Sequence, residues 1–197
     1  MPTRPLLQIF LVSTRPTRIG PAYANWFTAL AQSHPDFEVE LIDLAEIGLP
    51  FVDEPHHPRL RQYVHQHTLD WSATIDRADA FVFVTPEYNY GYSAVLKNAL
   101  DFLCHEWADK AVGFVSYGGV SAGTRAVQQL KQVVTTLRMV PVLEAVNVPF
   151  ASTLLTEDGT FEGDPNQELA AAAMLDELAR MTSKLRPAVT ATVAGPS

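Results

Sequence analysis

Residues 80–102 of the 197-residue chain read AFVFVTPEYNYGYSAVLKNALDF, and this stretch predicts a strand, a polar loop and a helix in succession. The apolar run 80–85 has the length and composition of a buried strand. Between Ser93 and Cys104 the apolar residues recur at helical spacing, and Ser93 is suited to cap that helix. They are Val95, Leu96, Ala99, Leu100 and Leu103. The segment therefore predicts a strand that leads into a helix through a tyrosine-rich loop.

The same alternation of strand and helix recurs along the rest of the chain. We expect further strands over 6–12, 37–43, 111–116 and 140–148, and further helices over 21–32, 60–78, 121–138 and 165–185. Such alternation predicts an α/β fold in which helices cover both faces of a parallel sheet. Ligands of these sheets bind beyond the carboxyl ends of the strands. The loops after Val12, Val84 and Val115 are therefore the predicted functional region.

Length and composition are those of one globular domain. The chain has 47% hydrophobic and 18% charged residues, and we find no repeat and no linker that would divide it. We expect residues 1–185 to form the domain. Residues 186–197 are small and interrupted by proline and glycine, so we expect a disordered tail there.

Charge and cysteine content exclude several classes of protein. The net charge of −8 opposes general binding to nucleic acid or to an anionic membrane. Cys104 is the only cysteine, which excludes a disulfide within the chain, a cysteine-based zinc finger and an iron–sulfur cluster. Residues 1–6 lack the apolar run of a signal peptide, and no stretch reaches the ~18 apolar residues of a membrane helix. We therefore expect a cytoplasmic protein with no membrane or nucleic-acid partner.

The loop after the first strand, STRPTRIGP at 13–21, has the features of a phosphate site. It contains Arg15 and Arg18, and residues 1–35 contain no acidic residue. Backbone N–H groups at the start of a helix attract anions, and an arginine can hold a phosphate through two parallel hydrogen bonds. Neither a G-x-G-x-x-G nor a G-x-x-x-x-G-K-[ST] motif is present. The alternative is a surface turn with two solvated arginines.

The loops after the third and fourth strands are suited to a flat, amphipathic ring. Residues 85–92, TPEYNYGY, provide aromatic surface, and Asn89 can donate to and accept from a ring edge that carries carbonyl and imide groups. As an alternative, the tyrosines line a subunit interface. In SYGG at 116–119 the two glycines allow close approach of the main chain, and Ser121 is placed to cap the next helix. N–H groups at that helix start can stabilise negative charge at the ring edge.

Other candidate residues have simpler interpretations. We expect Cys104 to be a buried, inert thiol on the apolar side of a helix. His65 and His67 are two residues apart, so on a helix they point away from each other, and we expect no metal site there or at His56-His57. Lys97 and Asp101 are four residues apart, as in an exposed helical ion pair.

Four sequence motifs resemble the NADPH-dependent FMN reductase family of flavodoxin-like proteins, which includes quinone, azo and chromate reductases. They are S-T-R-P-x-R-I-G at 13–20, P-E-Y-N-Y-G at 86–91, L-K-N-A-L-D-F at 96–102 and S-Y-G-G at 116–119. The resemblance implies a flavodoxin-like, doubly wound sheet of five parallel strands in the order 2-1-3-4-5, within three α/β/α layers. It also implies FMN as cofactor, NADPH or NADH as co-substrate, a small-molecule electron acceptor, and a homodimer or homotetramer.

The resemblance also assigns the cofactor contacts. It implies that the FMN phosphate is held by Ser13, Arg15 and Arg18 with the backbone of Ile19 and Gly20. The ribityl chain and the ring would border on Pro86, Glu87, Tyr88, Asn89 and Tyr90. The pyrimidine side of the ring would meet Ser116, Tyr117, Gly118 and Gly119. The implied reaction requires no catalytic side chain, because the flavin itself supplies the redox chemistry.

Two positions depart from the family pattern. The family often has glycine where this chain has Val12 and Thr17. We expect these side chains to stiffen or reshape the phosphate turn.

The predicted function is two-step hydride transfer from NADPH or NADH to FMN and on to a quinone, azo dye, metal oxyanion or free flavin. The alternative is a flavin-binding electron carrier or redox sensor with little turnover. A Rossmann dehydrogenase is disfavoured because its glycine fingerprint is missing. We base the expected oligomer on aromatic and apolar residues near one rim of the sheet: Tyr90, Tyr92, Leu100, Phe102, Leu103 and Trp107.

Overall fold

The computed structural model describes residues 4–186 and contains one sheet of five parallel strands. The strands are β1 (Leu6–Leu11), β2 (Glu38–Asp43), β3 (Ala80–Pro86), β4 (Ala111–Tyr117) and β5 (Val140–Val148). Their spatial order is β2-β1-β3-β4-β5, which confirms the predicted fold and strand order. All strands run in the same direction, so their carboxyl ends lie along one edge of the sheet.

Helices cover both faces of the sheet. They are α1 (Gly20–Gln32), α2 (Leu44–Ile47), α3 (Gln66–Asp76), α4 (Ala94–Asp101), α5 (Thr124–Thr136) and α6 (Pro165–Leu185). α1 and α6 pack on one face, and α3, α4 and α5 pack on the other. Every residue of β3 and β4 is buried, as expected for central parallel strands that are covered on both sides.

An aromatic cluster fills the core under α3. The Phe10 ring lies edge-on to Trp71, Phe81 and Phe83, with ring centroids 5.8, 5.9 and 5.3 Å away. Trp107 packs against Phe10 at 6.2 Å. These aromatic contacts join β1, β3, α3 and the turn before β4. They therefore hold the central strands, from whose carboxyl ends the predicted functional loops extend.

Several predicted helix ends are confirmed. Ser93 caps α4, since its side chain accepts a hydrogen bond from the Val95 N–H. The helix predicted over 165–185 is confirmed as α6, and Asp164 caps it in a capping box with Gln167. The Lys97 and Asp101 side chains form the predicted ion pair at 2.5 Å.

Other local predictions are wrong. The helix predicted over 60–78 is shorter, because residues Pro58–Leu60 form a separate 3-10 turn that ends where Arg61 takes a left-handed conformation (φ 49°). Ser121 does not cap α5, since Gly123, with φ 80°, is the residue before that helix. Cys104 is half-buried and lies beyond the end of α4 rather than on a helix.

Most of the side chains on which we based the expected oligomer are buried within the protein itself. Leu100, Phe102, Leu103 and Trp107 are at most 1% exposed and belong to the core. Only Tyr90, 67% exposed, is largely at the surface, while Tyr92 packs partly against the core.

The predicted tail, apart from Arg186, falls outside the residues that the structure describes. Between residues 4 and 186, no helix combines the length and the apolar character that crossing a bilayer requires.

Candidate functional site

The loops that follow β1, β3, β4 and β5 enclose a cavity of about 380 Å³ at the carboxyl edge of the sheet. All three loops predicted from the sequence contribute to it. The predicted residues that line the cavity are Arg15, Arg18, Ile19, Pro86, Glu87, Tyr88, Tyr117, Gly118 and Gly119. The remaining predicted residues do not line the cavity: Ser13, Asn89 and Tyr90 lie in the first two loops, Gly20 begins α1, and Ser116 lies near the end of β4. The fold therefore brings the three predicted loops together around one space.

The two arginines of the first loop are placed differently. The Arg18 guanidinium forms two hydrogen bonds with the Asp43 carboxylate, at 2.7 and 2.5 Å, and also donates to the Ser13 carbonyl. The hydrogen bond to Asp43 raises the pKa of Arg18 further above its usual value. Arg15 is exposed and lines the cavity. Arg18 thus fixes the loop to the end of β2, and Arg15 is the better placed of the two to bind an anion.

Two buried hydroxyl groups lie under the first loop. Ser13 Oγ and Tyr117 Oη are buried, and neither has a hydrogen-bond partner among residues 4–186. Gly20 begins α1 directly against both, because a Cβ there would lie 2.3 Å from Ser13 Oγ and 2.6 Å from Tyr117 Oη. Burial raises the pKa of Tyr117 well above its usual value, so this hydroxyl remains a donor at neutral pH.

The second loop ends in a tight turn. Tyr88 and Gly91 exchange two backbone hydrogen bonds of 2.9 Å, and the central residues Asn89 and Tyr90 have φ of 49° and 69°. Positive φ at both central residues is the signature of a type I′ turn. The turn directs Tyr88 to the cavity and leaves Asn89 and Tyr90 at an exposed tip.

Glu87 is turned towards α5. Burial alone would raise its pKa, but hydrogen bonds from Arg125 and Ser121 hold the pKa of Glu87 below its ordinary value. The carboxylate is therefore ionised and engaged with the protein.

The third loop presents its main chain to the cavity. Nothing lies within 4 Å of a Cβ placed on Gly119, so a planar group can approach the backbone there. The Gly118 N–H donates to the Val148 carbonyl at 3.2 Å, which leaves Gly119 as the amide of this pair able to face a ligand. Ser116 is fully buried; its hydroxyl donates to the Ala122 carbonyl at 2.8 Å, and the Asn147 side-chain amide lies within hydrogen-bonding distance of Oγ at 2.9 Å. The role of Ser116 visible in the structure is thus to hold the loop.

A fourth loop, after β5, also lines the cavity, and the sequence reasoning missed it. Residues 150–153 form this wall. Phe150 N–H donates to the Gly119 carbonyl at 3.0 Å, and Ala151 N–H donates to the Gly118 carbonyl at 2.9 Å. The available signal was the carboxyl end of the fifth predicted strand, which must lie on the same edge as the others.

Tyr23 on α1 supports this fourth loop. Its hydroxyl donates to the Ala151 carbonyl at 2.6 Å, and its ring stacks on Tyr117 with centroids 4.9 Å apart. Burial raises the pKa of Tyr23 to about 12.

In the part of the chain from 4 to 186, no three His, Cys, Asp or Glu side chains are grouped as metal ligands would be.

Comparison with known families gives one match that spans most of the chain. The model of the family described as NADPH-dependent FMN reductase matches residues 7–153. An NAD(P)H-dependent FMN reductase of Schizosaccharomyces pombe is 41% identical over 149 residues, which cover 74% of each chain. An NAD(P)H-dependent FMN reductase of Saccharomyces cerevisiae is 33% identical over 162 residues, covering 76% of this chain and 84% of that one.

A solved structure has the same fold. The flavoenzyme NAD(P)H:(acceptor) oxidoreductase of Paracoccus denitrificans superimposes with a TM-score of 0.70 at 20% identity. The superposition covers 91% of this chain and 98% of that chain. At this identity the likeness supports the flavodoxin-like fold.

Proposed function

Because the chain belongs to the NADPH-dependent FMN reductase family, we propose that it is an FMN-dependent oxidoreductase that oxidises NADPH or NADH and reduces a second small molecule in a separate step. The observation that carries this proposal is the cavity between the four loops, which matches the chemistry of FMN at both of its ends. When bound, FMN supplies the hydride and electron transfer itself. The tasks of this chain are to bind the cofactor, orient it and exclude water.

The end of the cavity near β1 fits a phosphate. Arg15 lines it, and the Gly20 N–H at the start of α1 has no partner inside the helix. Pro21 has no N–H, and the Ala22 N–H already donates to the Ile19 carbonyl at 3.2 Å. Beside the start of α1 lie the hydroxyls of Ser13 and Tyr117, which are buried and lack a hydrogen-bond partner within residues 4–186. We propose that Arg15 makes the ionic contact, while Arg18 holds the loop through Asp43.

The end near β4 fits the ring. The open space over Gly119 lets a flat group lie against the main chain, and Tyr88 and Pro86 form the adjoining wall. The Gly119 amide is suited to stabilise negative charge at the ring edge. No side chain has to act as an acid or base, and we assign none as catalytic.

We propose quinones, azo compounds, free flavins or metal oxyanions as acceptors. A second cavity of about 630 Å³, between β5 and the start of α6, shares Phe150 and Thr153 with the first. Phe150 is 56% exposed, so its ring offers a stacking surface where the two spaces meet. This arrangement favours flat aromatic acceptors over compact oxyanions.

The rival function is a flavin-binding electron carrier or redox sensor with little turnover. Anaerobic mixing of the FMN-loaded protein with NADPH or NADH distinguishes the two. We expect the yellow absorbance to bleach within seconds and to return when a quinone is added. Failure to bleach with either nucleotide would reject the reductase, and a protein that stays colourless after incubation with FMN would reject both.

We also propose a homodimer or homotetramer. The support is apolar surface on the connection between α2 and α3, where Phe51 is 85% exposed and Leu60 and Val64 are each 57% exposed. Sedimentation at micromolar concentration should show a species larger than the monomer, and Phe51→Asp should shift it towards the monomer. A wild-type protein that sediments only as a monomer would contradict this part of the proposal.

A further inference from the structure

Arg125 stands where a helix disfavours it. It is the second residue of α5, and the partial positive charge at a helix N-terminus repels a cation. The guanidinium is nevertheless held firmly: Nε donates to Glu87 Oε1 at 2.6 Å, and Nη2 donates to Ser121 Oγ at 2.7 Å. Ser121 Oγ in turn donates to Glu87 Oε2 at 3.0 Å. The three side chains thus form a closed set of hydrogen bonds.

The ion pair with Arg125 matters because the Glu87 carboxylate is buried. Its side chain is only 6% exposed, and a buried carboxylate needs a paired cation. Its backbone N–H also donates to the Tyr117 carbonyl at 3.2 Å. Arg125 therefore connects the first residue after β3, beside the cavity, to the start of α5.

Tyr90 covers the other side of the guanidinium. The Arg125 Cζ lies 3.6 Å from the centroid of the Tyr90 ring, which is cation–π distance. One turn further along α5, Gln129 Nε2 donates to the Tyr90 carbonyl at 2.8 Å. Two side chains of the same helix face thus hold the tip of the loop.

Tyr90 makes the cation–π contact with Arg125 even though its own backbone conformation is strained. Tyr90 has φ 69° at the second central position of a type I′ turn, where glycine is the preferred residue. A residue with a side chain is strained in this conformation. Glycine would relieve the strain but would remove the ring that packs on Arg125.

We propose that Arg125 is a positioning residue of the flavin pocket. Through Glu87 and Tyr90 it holds the Tyr88–Gly91 turn against α5, so that Tyr88 keeps its place in the cavity wall. The Glu87 carboxylate neutralises the Arg125 charge. Arg125 therefore acts through Glu87 and Tyr90 rather than by contact with the ligand. This inference rests on the proposed FMN site.

The first test compares Arg125→Ala with Arg125→Lys and with Lys131→Ala, which removes a cation six residues further along the same helix. Hydrogen exchange of the Tyr88 and Gly91 amides is measured in the protein without flavin, and the FMN dissociation constant by fluorescence quenching. Arg125→Ala should raise both the exchange rate and the dissociation constant about tenfold, since it leaves a buried carboxylate unpaired. Arg125→Lys should give intermediate values because it keeps the charge but loses the planar fork. Lys131→Ala should change neither.

The second test uses Tyr90→Gly alone and combined with Arg125→Ala. Glycine suits the turn, so the free energy of unfolding should stay equal or rise, while the FMN dissociation constant should increase about fivefold through loss of the cation–π contact. If Tyr90 acts through Arg125, the double variant should bind FMN no more weakly than Arg125→Ala. Additive losses would show a separate contact of Tyr90 and contradict the proposed linkage.

The outcomes separate this inference from the proposed function. If the wild type binds FMN and Arg125→Ala binds it equally well, Arg125 is not a positioning residue, although the proposed function stands. Faster exchange without weaker FMN binding would also reject the proposal, because the role of Arg125 would then be structural only. If the wild type binds no FMN, the proposed function fails, and the exchange rates still decide whether Arg125 holds the turn.

Discussion

Tyr117 combines a ring that is 4% exposed with a hydroxyl that has no hydrogen-bond partner among the described residues 4–186. A buried polar group without a partner lowers the stability of a fold. Such a group persists where a ligand completes it. Its neighbour Ser13 has the same property, and both flank the first residue of α1. In the proposed FMN site, these two hydroxyls are the donors that we expect the bound phosphate to engage.

Tyr117→Phe should therefore separate stability from binding. We expect the free energy of unfolding of the flavin-free protein to stay equal or to rise, because the unpaired hydroxyl is removed. FMN affinity should fall about fivefold, the equivalent of about 1 kcal/mol for one hydrogen bond. The matched control is Tyr23→Phe, which loses the bond to the Ala151 carbonyl and should lower stability by about 1 kcal/mol. Weaker stability in Tyr117→Phe would contradict this interpretation.

Arg15 and Arg18 should differ in what their removal affects. Arg15→Ala should weaken FMN binding by about 10-fold or more, through loss of a charged hydrogen bond, and leave riboflavin binding unchanged. Arg18→Ala should instead lower the unfolding free energy, because Asp43 loses its partner. Titration of each variant with FMN and with riboflavin checks both. Equal effects of Arg15→Ala on the two ligands would place the phosphate elsewhere.

At the scale of elements, Lys110 links the end of α3 to the start of β4. Its Nζ donates to the carbonyls of Ile75 and Asp76 at 2.8 and 3.1 Å, and lies 5.5 Å from the Phe81 ring centroid. A cation at a helix C-terminus is favourable. Burial nevertheless lowers the pKa of Lys110 to about 8, despite the nearby Asp76 and Asp79 carboxylates.

This lowered pKa predicts a stability that depends on pH. Between about pH 8 and pH 10.5 the unfolded chain keeps the Lys110 proton and the folded protein has released it, so stability should rise with pH in that interval. Below pH 8 both states are protonated and this contribution is constant. Urea unfolding at pH 7.5 and 9.5 should show the wild type gaining stability relative to Lys110→Met. Parallel behaviour of the two proteins would contradict the lowered pKa.

The sequence was sufficient for the elements whose burial is continuous. The runs that became β3 and β4 are apolar throughout, and their order with the helices determines a parallel sheet with its ligands at the carboxyl edge. It was insufficient where distant residues decide. The length of α3 depends on the left-handed backbone conformation of Arg61. The ion pair of Arg18 depends on Asp43, which is 25 residues away in the chain. Likewise, the link between Glu87 and Arg125 requires that the start of α5 lies next to the residue that follows β3.

At the scale of the whole molecule, two hydrophobic cores on opposite faces of the sheet support the loops at its carboxyl edge. One core lies under α1 and α6, and the other, under α3, α4 and α5, is built around Phe10. Because β1 contributes to both, a defect in it should affect the whole molecule.

Phe10→Ala tests this expectation. Loss of the central ring should lower the unfolding free energy by about 3–5 kcal/mol, a large part of the total of an ordinary domain. Tryptophan fluorescence and far-ultraviolet circular dichroism should report one coincident unfolding transition in urea. Val120→Ala, at a residue that is 77% exposed, is the control and should change little. Separate transitions by the two methods would show that the two cores unfold independently.

The anchoring of the fourth loop has a practical consequence for engineering. Residues 150 and 151 are tied to Gly118 and Gly119 by main-chain hydrogen bonds alone, and such bonds tolerate a change of side chain. A combinatorial library at positions 150, 152 and 153 would therefore vary the chemistry of the pocket mouth while keeping its scaffold. At position 150, where φ is 49°, asparagine and glycine are the substitutes that the backbone accepts most readily. Directed evolution of this wall of the cavity would best start from these three codons.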